Sequence, residues 1–126
     1  MSKINTGKLG EELACKFLKE KGYLILERNY KIRGGELDII ARDKEDLVFV
    51  EVKTRNSHEF GTPVESMTFW KIKLLLKTAV FYILKINWGN KPYRLDFISV
   101  DFTNKNTDKN TNSKNPQIEH IENITS

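Results

Sequence analysis

Residues 7–21, GKLGEELACKFLKEK, space their apolar side chains as a helix does. At about 100° per residue, Leu9, Leu13, Ala14, Phe17 and Leu18 form one broad face. Glu12 points away from it, Glu11 lies at its edge beside Leu18, and Gly22 is the expected stop. Tyr23 to Ile32 alternate imperfectly, as a strand, before a turn at Gly34–Gly35. Two further strands follow, GELDIIA and LVFVEVK, joined by a charged turn. Turn signals gather at Asn56–Ser57 and Gly61–Thr62–Pro63, and a long helix is predicted over about 65–87. Its polar wedge carries Lys71, Lys73, Lys77 and Lys85, while Trp70, Phe81 and Tyr82 read as packing residues rather than platforms for bases. Pro92 opens a strand over 93–100. QIEHIENI, near the end, alternates and is expected to return as an edge strand with His120 on its polar, exposed phase. Two helices covering a mixed sheet of four or five strands make an α/β domain.

Charge disturbs this pattern in one place. Side chains alternate across a strand, so Val48, Val50 and Val52 share one face of LVFVEVK, and Leu47, Phe49, Glu51 and Lys53 the other. In GELDIIA, Glu36, Asp38 and Ile40 oppose Leu37, Ile39 and Ala41. A hairpin with Lys44–Glu45 at its tip sets Asp43 opposite Asp46 and Asp38 opposite Glu51. Two carboxylates so placed repel, and need a cation, a raised pKa or a basic neighbour. The pair suits a hard divalent ion, Mg²⁺ or Mn²⁺, which binds through one or two carboxylates and a phosphate. Asp38 and Glu51 are then the ligands and Lys53 the electrostatic stabiliser of a phosphodiester transition state. Glu11, from the helix edge, adds a ligand or holds a water, and Glu36 can do likewise. The competing reading is an exposed ion-pair cluster with Lys53 or Arg55, nearly neutral in energy.

Composition narrows the rest. The 126 residues suggest one domain: a core over 1–102, an Asn-rich loop or linker over 103–116, and a closing segment over 117–126. Cys15 is the single cysteine, so no intrachain disulfide can form, and a reducing cytoplasm is the natural location. There is no Cys/His cluster and no Ser/His/Asp arrangement for covalent catalysis. The net charge of +4 permits a nucleic-acid partner. Lys31, Arg33 and Arg55, near the carboxylates in sequence, are candidate phosphate contacts, and His58 a weak candidate base. Arg94 and Asp96 read as a structural pair, a support for the site, or surface charge.

Several motifs occur in order: Gly10, Glu11 and Ala14 in a helix; Arg28–Asn29; Gly35, Glu36 and Asp38; Phe49 through Lys53 with Arg55; Phe60–Gly61; then Arg94 and Asp96. Over residues 7–102 they resemble the YraN-like family of small bacterial proteins. GELDIIA followed by VFVEVKTR also resembles the restriction-endonuclease-like, or PD-(D/E)XK, nuclease core, and the family resembles archaeal Holliday-junction resolvases in fold. The resemblance implies a metal-dependent DNA endonuclease with Glu11, Asp38, Glu51 and Lys53 in its active site, acting on branched or damaged DNA. A homodimer would suit a two-fold junction. The alternatives are a non-catalytic nucleic-acid-binding domain that keeps the fold, and a protein-interaction adaptor.

Overall fold

The computed structural model describes residues 6–56, 63–103 and 116–125. Helix α1 (Thr6–Glu20) leads into strands β1 (Leu24–Ile32), β2 (Gly35–Asp43) and β3 (Asp46–Arg55). A short 3-10 turn (Pro63–Ser66) precedes α2 (Phe69–Lys85), and β4 (Tyr93–Asp101) and β5 (Gln117–Ile121) complete the chain. The five strands form one sheet in the order β1-β2-β3-β4-β5. Only the β3–β4 pair is parallel. A parallel neighbour requires a crossover, and α2 supplies it. This is the restriction-endonuclease-like arrangement that the motifs resemble, with the expected edge strand at 117–121.

One boundary differs from expectation. The long helix starts at Phe69, because Thr68 caps it: its Oγ1 accepts the Lys71 N–H at 3.2 Å. The Phe60–Gly61 motif, His58 and most of the Asn-rich stretch lie outside the described residues.

The sheet has a core on each side. Ala14, Cys15 and Leu18 of α1 pack with Ile39, Val48, Val50, Val52, Ile98 and Val100. Leu75, Ala79 and Tyr82 of α2 pack with Ile40, Leu47, Phe49 and Leu95. Leu37 departs from the expected alternation and joins the α2-side core, although Ile39 faces α1. The switch occurs across Asp38, which lies opposite Asn29, a left-handed residue (φ 53°) between the paired Arg28↔Ile39 and Tyr30↔Leu37. Leu9, expected on the buried face of α1, is largely exposed, and Gly10 takes the buried position instead.

Two glycines let the helices approach closely. A Cβ on Gly10 would collide with the Thr54 side chain of β3, and one on Gly35 with Thr78 of α2. Each precedes a glutamate of interest, Glu11 or Glu36. Gly10→Ala improves helix propensity by about 1 kcal/mol, yet is expected to destabilise the fold by about 1–3 kcal/mol through overpacking. Denaturant unfolding checks this, and adding Thr54→Ala should restore much of the loss.

Candidate active site

The β2–β3 register runs from Asp43↔Asp46 to Ile39↔Val50. Continued by one position, it sets Asp38 across from Glu51, as the hairpin reading required. There the ladder ends, and the Asp38 side chain takes over: Oδ2 accepts the Val52 N–H at 2.8 Å. Glu51 is only 9% exposed. Its Oε1 lies 3.2 Å from Lys71 Nζ. Glu51 is thus withdrawn from water and Asp38 is half-buried, which excludes the exposed ion-pair cluster.

Burial and crowding perturb both acids. Burial, then the charge of Glu51, push the Asp38 carboxyl up to about 7 against the Val52 N–H; Glu11 and Glu36 add to the rise. Burial also raises Glu51, opposed by Lys71 and Lys53. Glu11 and Glu36 therefore share one electrostatic neighbourhood with the pair. Lys53 is exposed, one alternation beyond Glu51 on the same strand.

Lys71 is the residue that sequence reasoning missed. It was assigned to the polar wedge of α2, but it stands at the head of the buried stripe Leu75, Thr78, Tyr82 at helical spacing. That spacing was the signal: a lysine at the start of an inward stripe is aimed along the sheet side of the helix, where Glu51 lies. Lys31 is exposed and pairs in register with Glu36, and Arg33 sits in the adjoining turn. Arg55 ends β3 and pairs in register with Asp101. All three lie at the same end of the sheet as Asp38.

The chain matches the family described as "Uncharacterised protein family UPF0102" over residues 10–100. It belongs to the UPF0102 family. A UPF0102 protein of Clostridioides difficile is 44% identical over 100 residues, covering 79% of this chain and 88% of that one. One from Dictyoglomus turgidum is 45% identical over 100 residues, covering 79% and 85%. One from Clostridium botulinum is 50% identical over 95 residues, covering 75% and 77%. The UPF0102 match therefore spans both helices and β1 through nearly all of β4.

Among the described residues of this UPF0102 chain, no three His, Cys, Asp or Glu side chains are grouped to hold a metal ion by themselves. Nor is any described helix long and apolar enough to cross a membrane. What the site offers is one buried and one half-buried carboxylate in mutual repulsion, with Lys71 paired to Glu51 and Lys53 exposed on the same strand.

The second polar motif lies elsewhere. Arg94 and Asp96 pair in register with Val48 and Val50, three positions and one position from Glu51 toward the β2–β3 turn; by alternation Asp96 shares the α1 side of the sheet with Ile98 and Val100, whereas Glu51 meets Lys71 of α2. Arg94 Nη1 donates to Asp46 at 2.6 Å, Nη2 to Tyr23 Oη at 2.7 Å and Nε to Asp96 at 3.1 Å. Asp96 is fully buried and also bonds His120 Nε2 at 2.8 Å and the Asn123 N–H at 2.9 Å. Burial pushes Asp96 up, but the His120, Asn123 and Arg94 bonds outweigh it and hold the carboxyl below its usual range. The expected exposure of His120 is incorrect, its side chain being 2% exposed. Period two groups His120 with Ile118, toward α1, where it meets the edges of the Phe17 and Tyr23 rings. Arg94, Asp96 and His120 form a brace between β4 and β5 on the α1 side of the sheet, the face opposite the one on which Lys71 reaches Glu51.

Proposed function

We propose that this protein is a divalent-metal-dependent endonuclease that hydrolyses phosphodiester bonds of DNA. The observation that carries the reading is the pairing of half-buried Asp38 on β2 with buried Glu51 on β3, kept in mutual repulsion near Lys53 and Lys71. The donor set fits Mg²⁺ or Mn²⁺: hard carboxylate oxygens, whose like-charge strain a cation relieves. Asp38 and Glu51 would hold the ion, with Glu11 able to hold one of its waters. When bound, the metal supplies Lewis-acid polarisation of the phosphate.

The chain's own groups do the remainder. The Val52 N–H fixes the Asp38 carboxylate in place. Lys53 is the exposed cation available to a phosphate as charge develops on it. Lys71 neutralises Glu51 until a better cation replaces it. Lys31, Arg33 and Arg55 bind the backbone on either side and carry no sequence information.

A non-catalytic nucleic-acid-binding domain is the second reading, favoured by the Glu51–Lys71 ion pair, which already satisfies one carboxylate. The test is cleavage of four-way junction, flap, single-stranded and duplex DNA by wild-type protein, each with Mg²⁺, Mn²⁺ or excess chelator. Cleavage only with metal is the expected result, branched substrates being cut fastest. DNA binding with no cleavage under any condition would instead support the binding domain.

A further inference from the structure

Helix α2 presents a second surface that the sequence reading had assigned to the core. Phe69 and Trp70 are 70% and 73% exposed, and Phe81 and Leu84 are 51% and 69% exposed. The expectation that Trp70 and Phe81 pack inside is thus overturned; Tyr82 alone of the three is buried. The reason is angular. At about 100° per residue, Trp70, Lys77, Phe81 and Leu84 cluster on the side opposite Leu75, Thr78, Ala79 and Tyr82. Lys73 lies in the same sector, its Nζ 5.6 Å from the Trp70 ring centroid. Phe69 and Trp70 meet edge to face at 5.5 Å.

Charge selects the occupant. The helix FWKIKLLLKTAVFYILK contains no acidic residue, and two of its four lysines, Lys73 and Lys77, lie in this sector, while Lys71 pairs with Glu51 and Lys85 Nζ lies 5.4 Å from the Tyr30 ring centroid. A second copy docked through the same face would oppose lysine with lysine, a repulsive pairing. A polyanion with flat apolar rings fits both features: its phosphates meet the lysines and its rings meet the aromatics. Paired bases hide their faces in the stack, so the rings must come from unpaired nucleotides. Position adds to this, because Lys71, bonded to Glu51, immediately follows Trp70.

We infer that the exposed face of α2, led by Phe69 and Trp70, binds an unpaired single strand of nucleic acid beside the candidate active site. This rests on the nucleic-acid reading of that site and names its substrate class: DNA with a single-stranded segment next to the scissile phosphate.

The experiment is binding of a short fluorescent oligothymidylate and of a duplex of equal length, in chelator and at fixed salt. The double variant Phe69→Ala/Trp70→Ala is expected to bind the single strand about 10–100-fold more weakly, stacking being worth about 1–3 kcal/mol per base, with duplex binding within about twofold of wild type. Trp70→Phe, which keeps a stacking ring, should retain most of the affinity. Because Trp88 is buried, wild-type fluorescence should be quenched through Trp70 as the strand binds.

Failure to bind oligothymidylate, or equal affinity in the alanine variants, overturns the inference. So does a concentration-dependent dimer dissolved by the same substitutions, which would assign the face to a second copy, or their loss of binding to anionic vesicles. Metal-dependent cleavage with unaltered single-strand binding would overturn this inference alone. Aromatic-dependent binding with no cleavage would support it and remove only the catalytic part of the proposed function.

Discussion

Asp38→Asn and Glu51→Gln are each expected to abolish metal-dependent cleavage, with losses of at least about a hundredfold, while Asp38→Asn makes the metal-free protein more stable near neutral pH. The two effects share one cause. A carboxylate held near other carboxylates and away from water is useful to a cation and costly without one. The Asp38 carboxyl has its pKa pushed up to about 7 from 3.8. Below about pH 4 the acid is protonated whether folded or unfolded, and stability is unaffected. Between about 4 and 7 the unfolded chain ionises first, so stability falls as pH rises, and above 7 the full cost applies. At about 1.4 kcal/mol for each tenfold change in proton affinity, the cost reaches about 4 kcal/mol. Asparagine keeps an oxygen for the Val52 N–H and carries no charge. Its melting temperature should therefore exceed that of wild type at pH 8 and converge with it near pH 4. Mg²⁺ should raise the wild-type value at pH 8 and leave the variant's unchanged. A wild-type stability that does not fall between pH 4 and 8 would sink the argument.

The other large effect belongs to the opposite face of the sheet. Asp96→Ala removes the acceptor shared by Arg94 Nε, His120 Nε2 and the Asn123 N–H. Breaking a buried charged network costs about 3–5 kcal/mol. Arg94 keeps Asp46 and Tyr23, which places the expected loss near the lower end. Urea unfolding should show a lower midpoint with an unchanged slope. Linkage has the opposite sign from Asp38. The folded pKa of Asp96 is depressed, so its contribution is present above the unfolded value and is lost as pH falls through the folded one. Wild-type stability without metal should therefore peak at mildly acidic pH. Asp96→Ala should flatten the acidic limb and leave the neutral limb intact.

The sheet was legible because its strands are short, largely apolar runs bounded by Gly, Asn and charged turns. The register, read from the Lys44–Glu45 turn, put Asp38 across from Glu51, and every observed β2–β3 pair agrees with it. Helix α2 is less legible: its rich apolar content predicts burial of Trp70 and Phe81, and its four lysines predict one polar wedge that includes Lys71. Helical angle decides burial, not content: the stripe Lys71, Leu75, Thr78, Tyr82 faces the sheet while Trp70 and Phe81 do not. His120 was misplaced because apolar residues at 118, 121 and 124 repeat every three positions, whereas a strand alternates every two. The brace around Asp96 joins residues far apart in the chain, and no local pattern announces such a meeting.

Strand β5 is held by contacts of its own: the β4 ladder, the His120–Asp96 and Asn123–Asp96 bonds, and the Ile124 N–H donating to Leu95 O at 2.8 Å. Its place in the sheet is therefore specified at the docking surface and not by the connection that delivers it. Closing a connection twice as long costs only about 0.6 kcal/mol more. Insertions and deletions between β4 and β5 are then nearly invisible to selection for folding.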